Sequence, residues 1–291
     1  MKKIVLSLSM IGAVAVLAIG ATGAFFSDSE TSTGNTFAAG AIDLGVDNTS
    51  YYNGQFNSGT SWQLSYDMDN CTVPNLETPD ETDTLPCLFF NFKDLKPGDW
   101  GEDTISLHVN NNDSWLCADV TLTKDDDVSS TEPELDEPGE VAEDPLDNFD
   151  GELADNIKWY WWADDGDNVY EDDERLLGDS SMTFPGQPGT YPVTLADSQY
   201  NIWGATGPVK GGDTRFIGKA WCFGDSQFNS YPSLDQDAQD VNTSPIERPV
   251  TCDGSQKSNI TQTDNMMADI TFRAVQSRNN AGFLCQQQSA L

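Results

Sequence analysis

Residues 42–47 read Ile42-Asp43-Leu44-Gly45-Val46-Asp47, and this stretch decides the class of the fold. Its apolar residues occupy every second position, so an extended chain would present one apolar face and one polar face. This alternation is typical of a half-buried β-strand. Strand-like segments recur along the chain, over 105–110, 157–161, 214–223 and 266–276.

Turn signals separate these segments, and no stretch of ten or more residues after residue 24 has a clear helical period. In Pro97-Gly98, Pro185-Gly186 and Pro188-Gly189, proline fixes φ and glycine accepts a positive φ. The sequence therefore predicts an all-β protein, an antiparallel β-sandwich with long polar and acidic loop insertions. We expect the insertions near 51–86, 124–155 and 224–259.

The insertion at 124–155 is the most acidic part of the chain. It contains fourteen acidic residues and a single lysine, and three prolines interrupt it. Such a composition buries too little apolar surface to offset the entropy lost on ordering. We therefore expect a mobile acidic loop.

The N-terminus has the parts of a secretory signal peptide. Lys2 and Lys3 precede an apolar run from 4 to 20, and small residues lead to Ala24. We expect cleavage after Ala24, which makes residues 1–24 the signal peptide and the protein secreted. The alternative is an uncleaved membrane anchor.

Charge excludes one class of partner. The formal net charge is −34, and loss of Lys2 and Lys3 with the signal peptide makes it −36. Phosphate groups and carboxylates repel each other and the chain has no basic patch, so we expect no nucleic-acid partner. We also expect no membrane anchor once the signal peptide is removed.

The cysteines indicate an oxidising compartment. An even number in an exported chain is typical of disulfides, whereas zinc sites normally use paired cysteines or several histidines. Six cysteines allow 15 connectivities, among which the sequence does not choose. Our working expectation is the following set of pairs: Cys71–Cys87 and Cys222–Cys252 closing local insertions, and Cys117–Cys285 tying an early strand to the C-terminal end.

The best candidate for a metal site is the acidic stretch 163–174. On the pattern of a twelve-residue calcium loop, Ala163 takes the first position and Glu174 the last. Asn168 falls where the loop needs a left-handed residue. Ala163 stands where aspartate normally begins such a loop, and Asp164 replaces it only in a shifted register. A structural calcium ion and a solvated acidic turn both remain open. The expected ligands are Asp165, Asp167, the Val169 carbonyl, Glu171 and Glu174.

His108 is the only histidine, and we expect it to be exposed on the polar face of a strand. A catalytic zinc ion normally needs two or three nitrogen ligands, and the chain has no His-Glu-x-x-His motif. It also has no Gly-x-Ser-x-Gly motif of a serine nucleophile. We therefore expect no enzymatic activity and assign no catalytic residue.

Three short blocks, in this order along the chain, resemble the TasA/camelysin family. The first runs from Phe25 to Leu44, and the second is Leu95-Lys96-Pro97-Gly98-Asp99 followed by Asn110-Asn111-Asn112. The third is Ile270-Thr271-Phe272-Arg273-Ala274-Val275-Gln276. The blocks cover about a quarter of the chain. The resemblance implies a jelly-roll topology and processing by a SipW-like signal peptidase.

The resemblance also implies a structural subunit of an extracellular filament or biofilm matrix that assembles head to tail. Residues 25–40 would then be a donor strand that pairs with the open sheet edge of a neighbouring copy. Phe25, Phe26 and Phe37 would make the subunit contact. In the alternative, this segment folds back onto its own domain, residues 41–291, and the protein is a monomer.

Two other functions remain open. One is a calcium-dependent cell-surface adhesin, for which the stretch 163–174 is the relevant feature. The other is a metallopeptidase, because camelysin-like proteins have been labelled as such. The expected protein partners are other copies of this chain, and the signal peptidase during export.

Overall fold

The structure of the protein is a computed structural model. The strands are β1 (Asp28–Ser32), β2 (Asn35–Ala39), β3 (Leu44–Tyr52), β4 (Gln55–Phe56), β5 (Trp62–Ser65), β6 (Thr72–Pro74), β7 (Thr84–Pro86), β8 (Trp100–Val109), β9 (Ser114–Asp127), β10 (Ile157–Asp164), β11 (Arg175–Met182), β12 (Gly189–Ala196), β13 (Thr214–Phe223), β14 (Asp225–Gln227), β15 (Thr251–Asp253) and β16 (Asp264–Gln276). The helices are short: α1 (Glu132–Leu135), α2 (Leu153–Asn156) and a 3₁₀ turn (Asn259–Thr261). The structure describes residues 28–32, 35–39, 43–74, 84–182, 188–204, 206–232 and 250–285.

Two sheets form a sandwich, which confirms the predicted all-β class. The five-stranded sheet has the order β1-β2-β16-β9-β12. The seven-stranded sheet has the order β11-β10-β13-β8-β3-β4, and β5 also pairs with β3. Among the strands of the described residues, only the β2–β16 pair is parallel. In the described part of the chain, no helix is long and apolar enough to cross a membrane.

The core lies between the sheets and is built by the predicted alternation. In β8, Ile105 and Leu107 are fully buried and belong to this core, as does Leu44 in β3. From the facing sheets, the rings of Trp161 and Phe272 approach to 6.4 Å between centroids. Burial of these large side chains supplies most of the favourable free energy of folding.

The outer face of β10 carries a second, smaller core. Trp162 and Tyr160 are buried there, although Trp161 between them faces the main core. The Tyr160 ring stacks on Phe228 with 4.2 Å between centroids. Gly218 on the neighbouring strand makes room for Trp162, because a Cβ atom there would lie 1.9 Å from the indole ring.

All six cysteines are paired. The disulfides are Cys71–Cys87, Cys117–Cys285 and Cys222–Cys252, the pairs expected from the sequence. Cys117–Cys285 joins the first part of β9 to the C-terminal end of the described chain. A disulfide that closes so long a loop restricts the unfolded chain strongly, and each such bond typically stabilises a protein by about 2–4 kcal/mol.

The acidic segment 124–155 differs from the mobile loop that its composition predicts. Its first residues extend β9, and its backbone is then held by carboxylates that accept from peptide N–H groups. Asp150 accepts from the amide of Asp127 at 3.3 Å, and Asp125 accepts from the amide of Ala154 at 3.0 Å. The compositional argument fails here because the acidic side chains themselves satisfy the backbone.

A buried ion pair lies within the core. The Nζ atom of Lys219 in β13 lies 2.8 Å from Oδ2 of Asp103 in β8, and both side chains are essentially inaccessible. The ammonium group also lies 3.6 Å from the ring centroid of Phe90. Burial lowers the pKa of Lys219, and the carboxylate of Asp103 acts in the opposite direction. No sequence pattern predicts this pair, since a lysine in an apolar strand normally faces solvent.

We predict that Lys219→Met destabilises the protein by about 3–5 kcal/mol, because it leaves the Asp103 carboxylate buried without its cation. Chemical denaturation of the disulfide-intact protein measures this loss. Lys210→Met is the matched control: its ion pair with Asp113 is exposed, and its loss should cost less than about 1 kcal/mol. Equal losses in the two variants would contradict the importance of the buried pair.

Candidate functional site

The N-terminal strands form a hairpin at one edge of the five-stranded sheet. β1 and β2 pair antiparallel, and β2 then runs parallel to β16 from the pair Asn35–Ile270 to the pair Ala39–Ala274. Phe37 lies opposite Phe272, which is fully buried. Phe25, Phe26 and the predicted signal peptide lie outside the described residues. In the described chain the segment therefore pairs with its own domain, as in the fold-back alternative.

The β2 strand covers only part of the edge that it occupies. β16 has thirteen residues and pairs with β9 over its whole length, whereas β2 covers only 270–274. Residues 264–269 therefore lack a second neighbouring strand among the described residues. An uncovered edge presents N–H and C=O groups to which another extended segment can add.

A large apolar cavity lies beside this uncovered edge. Its volume is about 1190 Å³, and it lies between residues 258–269 and the segment 90–97. Cavities of this size are large enough to hold several side chains of a bound segment. The aromatic side chains that line it are Phe90, Phe92, Trp159, Trp221 and Phe223. No local sequence pattern reveals this cavity, because its lining comes from five separate parts of the chain.

The acidic stretch 163–174 forms the turn between β10 and β11. Asp164, the last residue of β10, anchors it: Oδ1 accepts from Nε1 of Trp162 at 2.8 Å. Its Oδ2 accepts from the amides of Gly166 and Asn168, at 2.8 and 3.2 Å. Asn168 has φ +62°, the left-handed conformation expected from the sequence.

Glu174 closes the same turn from its far end. One carboxylate oxygen accepts from the amide of Asp165 at 2.9 Å, and the other accepts from the amide of Glu171 at 3.0 Å. Burial, followed by repulsion from Asp164, raises the pKa of Glu174 to about 9. Burial is also the main cause that raises the pKa of Asp164 to about 7.

Asp165 and Asp167, two of the expected ligands, lie together with Asp164. Carboxylate oxygens of these three residues lie within 4.8 Å of one another. Glu171 and Glu174 do not belong to this group, and the amide of Val169 donates to Asp167 at 2.9 Å. The group therefore combines Asp165 and Asp167, the third and fifth positions of the loop pattern that begins at Ala163, with Asp164 at its second position. Such a set of oxygens suits a proton or a hard cation.

A comparison with protein families matches residues 1–71 to Peptidase_M73, described as camelysin metallo-endopeptidase. The resemblance to the TasA/camelysin family is thereby confirmed over this N-terminal region, which contains the first of the three blocks. The match ends before the second and third blocks. No curated protein matches the chain.

The family description implies a catalytic metal, and the residues present do not fit a zinc peptidase centre. His108 is half-buried, not exposed as expected, with Nε2 2.7 Å from Asp47 and Nδ1 3.0 Å from Thr214. Both ring nitrogens are thus engaged within the sheet. The chain has no second histidine, and its six cysteines are oxidised. The nitrogen and sulfur ligands that zinc prefers are therefore lacking.

We predict that, in the presence of a chelator, thermal stability falls as the pH rises from about 5 to about 9. Because the pKa of Glu174 rises from 4.5 to about 9 on folding, the folded state holds the proton more tightly than the unfolded state. This stabilisation is complete below the unfolded pKa and is lost as the pH approaches the folded one.

Glu174→Gln cannot ionise, so its melting temperature should fall less steeply than that of the unmodified protein over this pH range. The exposed neighbour Asp173 provides the control, since Asp173→Asn should keep the original slope. Calorimetric melting at a series of pH values measures both slopes. Parallel curves for Glu174→Gln and the unmodified protein would refute this assignment.

Proposed function

We propose that the protein is a secreted structural subunit of an extracellular filament, in which the N-terminal segment of one copy adds to the sheet of the next. The observation that carries this proposal is the uncovered edge of β16, residues 264–269, beside the aromatic cavity. The family match over residues 1–71 is consistent with it, because it includes the proposed donor segment.

The register of β2 indicates how a donor strand would fit. If the hairpin of β1 and β2 straightened and kept its register on β16, Ser29 would lie opposite Asp264 and Gly34 opposite Asp269. A single strand over 29–39 would then cover residues 264–274 of β16. Phe26 would reach the level of Thr261, which lines the cavity. Successive side chains of a strand point to opposite faces, so one of the proposed subunit contacts Phe25 and Phe26 would face that cavity and fill it with an apolar ring.

A donor segment from another copy would form the same kind of strand pairing that β2 forms within one chain. The β2–β16 pairing that a donor from another copy would replace spans five residue pairs. The same hydrogen bonds form within one chain or between two, so concentration and strain in the hairpin decide which arrangement prevails. A contact between the N-terminus of one copy and the β16 edge of the next is head to tail, and such contacts generate open fibres.

The first test compares the chain beginning at Phe25 with the chain beginning at Gly40. We expect filaments in electron micrographs, and growing particle size by light scattering, only for the longer form. The shorter form should stay monomeric, because it lacks the donor segment but keeps the acceptor edge. If both forms stay monomeric, with and without calcium, the filament proposal fails. A calcium-dependent adhesin that uses the 163–174 turn would then become the leading function.

A second test identifies the contact itself. Thr36 and Thr271 are register partners across β2 and β16, so cysteines at these positions are close enough to form a disulfide. Mixing Thr36→Cys protein with Thr271→Cys protein should give a covalent dimer on a non-reducing gel, because the two cysteines are on different copies.

The control replaces Thr271→Cys with Thr190→Cys, an exposed position on β12 at the opposite edge of the same sheet. This mixture should give no dimer. The doubly substituted chain reports the competing arrangement, since a monomer would link its two cysteines internally. Internal linkage in the double variant without any dimer in the mixture would show that the segment serves its own domain.

A further inference from the structure

Three carboxylates from separate parts of the chain meet where the acidic segment folds over the end of the sandwich. Asp127 is the last residue of β9, Glu134 lies in α1 and Asp264 is the first residue of β16. An oxygen atom of each lies within 4.8 Å of the others. Asp127 and Asp264 are also direct cross-strand partners. Like charges in that position repel and destabilise a sheet.

Glu134 is fully buried, and only one of its two carboxylate oxygens accepts a hydrogen bond. Its Oε2 accepts from the amide of Thr131 at 3.0 Å, whereas its buried Oε1 has no hydrogen-bond partner. Asp264 repeats this arrangement: Oδ2 accepts from the amide of Glu152 at 2.8 Å, and the buried Oδ1 has no partner. A buried carboxylate oxygen without a partner is costly, so each points to a missing positive group.

Two neighbouring carboxylates share this condition. Asp125 is fully buried and its Oδ2 has no partner, and the same is true of the buried Oε2 of Glu152. Within the described part of the chain, no lysine, arginine or histidine forms an ion pair with these two residues or with the three above. Lys124, which is close in sequence, pairs instead with Asp126 at 2.6 Å.

We propose that Asp127, Glu134 and Asp264 bind a divalent cation, with calcium as the preferred ion, and that the ion fastens the acidic segment to the sandwich. Calcium takes six to eight oxygen ligands in flexible geometry, which suits carboxylates on three separate elements. Magnesium demands a stricter octahedron and retains more water. Zinc prefers nitrogen and sulfur, which this cluster does not offer.

This cation site does not require the proposed filament. It shares no residue with the 163–174 turn, the donor segment or the cavity's aromatic lining, but Asp264 is also the first residue of the uncovered β16 edge and borders the cavity. The ion would bridge β9, α1 and β16, and so convert a repulsive cluster into a link between the segment and the sheet. No local sequence pattern reveals this site, because Asp264 is distant in the chain from the acidic run.

Protons are the competing source of positive charge. Burial, together with the surrounding carboxylates, raises the pKa of Glu152 to about 7 and that of Asp264 to about 8. A proton relieves repulsion at one oxygen at a time, whereas a divalent ion satisfies several oxygens together. Adding calcium at constant pH changes only the supply of divalent ions and therefore separates the two sources of charge.

Hydrogen exchange followed by mass spectrometry, at pH 8 on the exported chain with its disulfides intact, tests the proposal locally. Calcium chloride added after removal of metal by a chelator should slow exchange in peptides covering 128–152. Where exchange requires release of the ion, the slowing should reach roughly 100-fold when free calcium is about 100 times its dissociation constant. Magnesium chloride at the same concentration should have a smaller effect.

The test variant is Glu134→Gln with Asp264→Asn, which keeps the side-chain shapes and removes two charges. It should fold at least as well as the unmodified chain without metal, because repulsion is relieved, and calcium should no longer slow exchange over 128–152. The matched control is Glu132→Gln with Asp136→Asn, which removes two exposed charges from the same segment and should retain the calcium effect.

Two results would overturn the proposal. In one, calcium does not change hydrogen exchange over 128–152 in the unmodified chain, whereas a lower pH slows it by more than the intrinsic effect of pH. Protons would then be the counter-charge. In the other, calcium protects the segment equally in the Glu134→Gln, Asp264→Asn variant, so the ion binds elsewhere. Peptides covering 163–174 report separately on the other acidic turn, and filament formation is not part of this readout.

Discussion

Repulsion between carboxylates limits how this acidic chain can fold. The chain has 48 acidic residues and 14 basic ones, so most carboxylates cannot have a cationic side chain as partner. Exposed carboxylates are solvated and cost little, but every carboxylate near the core needs another solution. The protein uses three. Asp103 takes a buried lysine and Asp164 takes peptide N–H groups, and for the cluster around Glu134 we propose an ion from solution.

Carboxylate repulsion explains how the acidic segments fold and which parts of them are least stable. A carboxylate that accepts from successive amides shapes a tight turn, as Asp164 does, and gains stability without a cation. The same groups repel each other once several of them converge. Stability of these regions should therefore depend on protons and cations in the surroundings, while the aromatic core between the sheets does not. In the sandwich itself, Ile105, Leu107 and Phe272 are packed as in any neutral protein.

The strands of the five-stranded sheet differ in how extensively they are paired. β9 and β16 pair along their whole lengths, and Cys117–Cys285 ties β9 to the end of the chain. The β1–β2 hairpin, by contrast, rests on β16 through five parallel residue pairs. A polymer built through that edge would bring together copies with a formal charge of −36 each after signal removal. Such contacts need counter-ions, so cation binding and assembly would favour each other, and Asp264 belongs to both the proposed cation site and the β16 edge.

The sequence by itself determined the all-β class, because alternation with a period of two is a local property of each strand. It also determined the oxidised state of the cysteines and the left-handed residue Asn168 in the acidic turn. Only the tertiary structure decided which charges meet. Asp103 finds Lys219, and Asp127 finds Asp264, through strand pairing between segments more than a hundred residues apart, which no local pattern records. Composition predicted a mobile acidic loop at 124–155 because it counts charges and cannot see the amides and carboxylates that surround them.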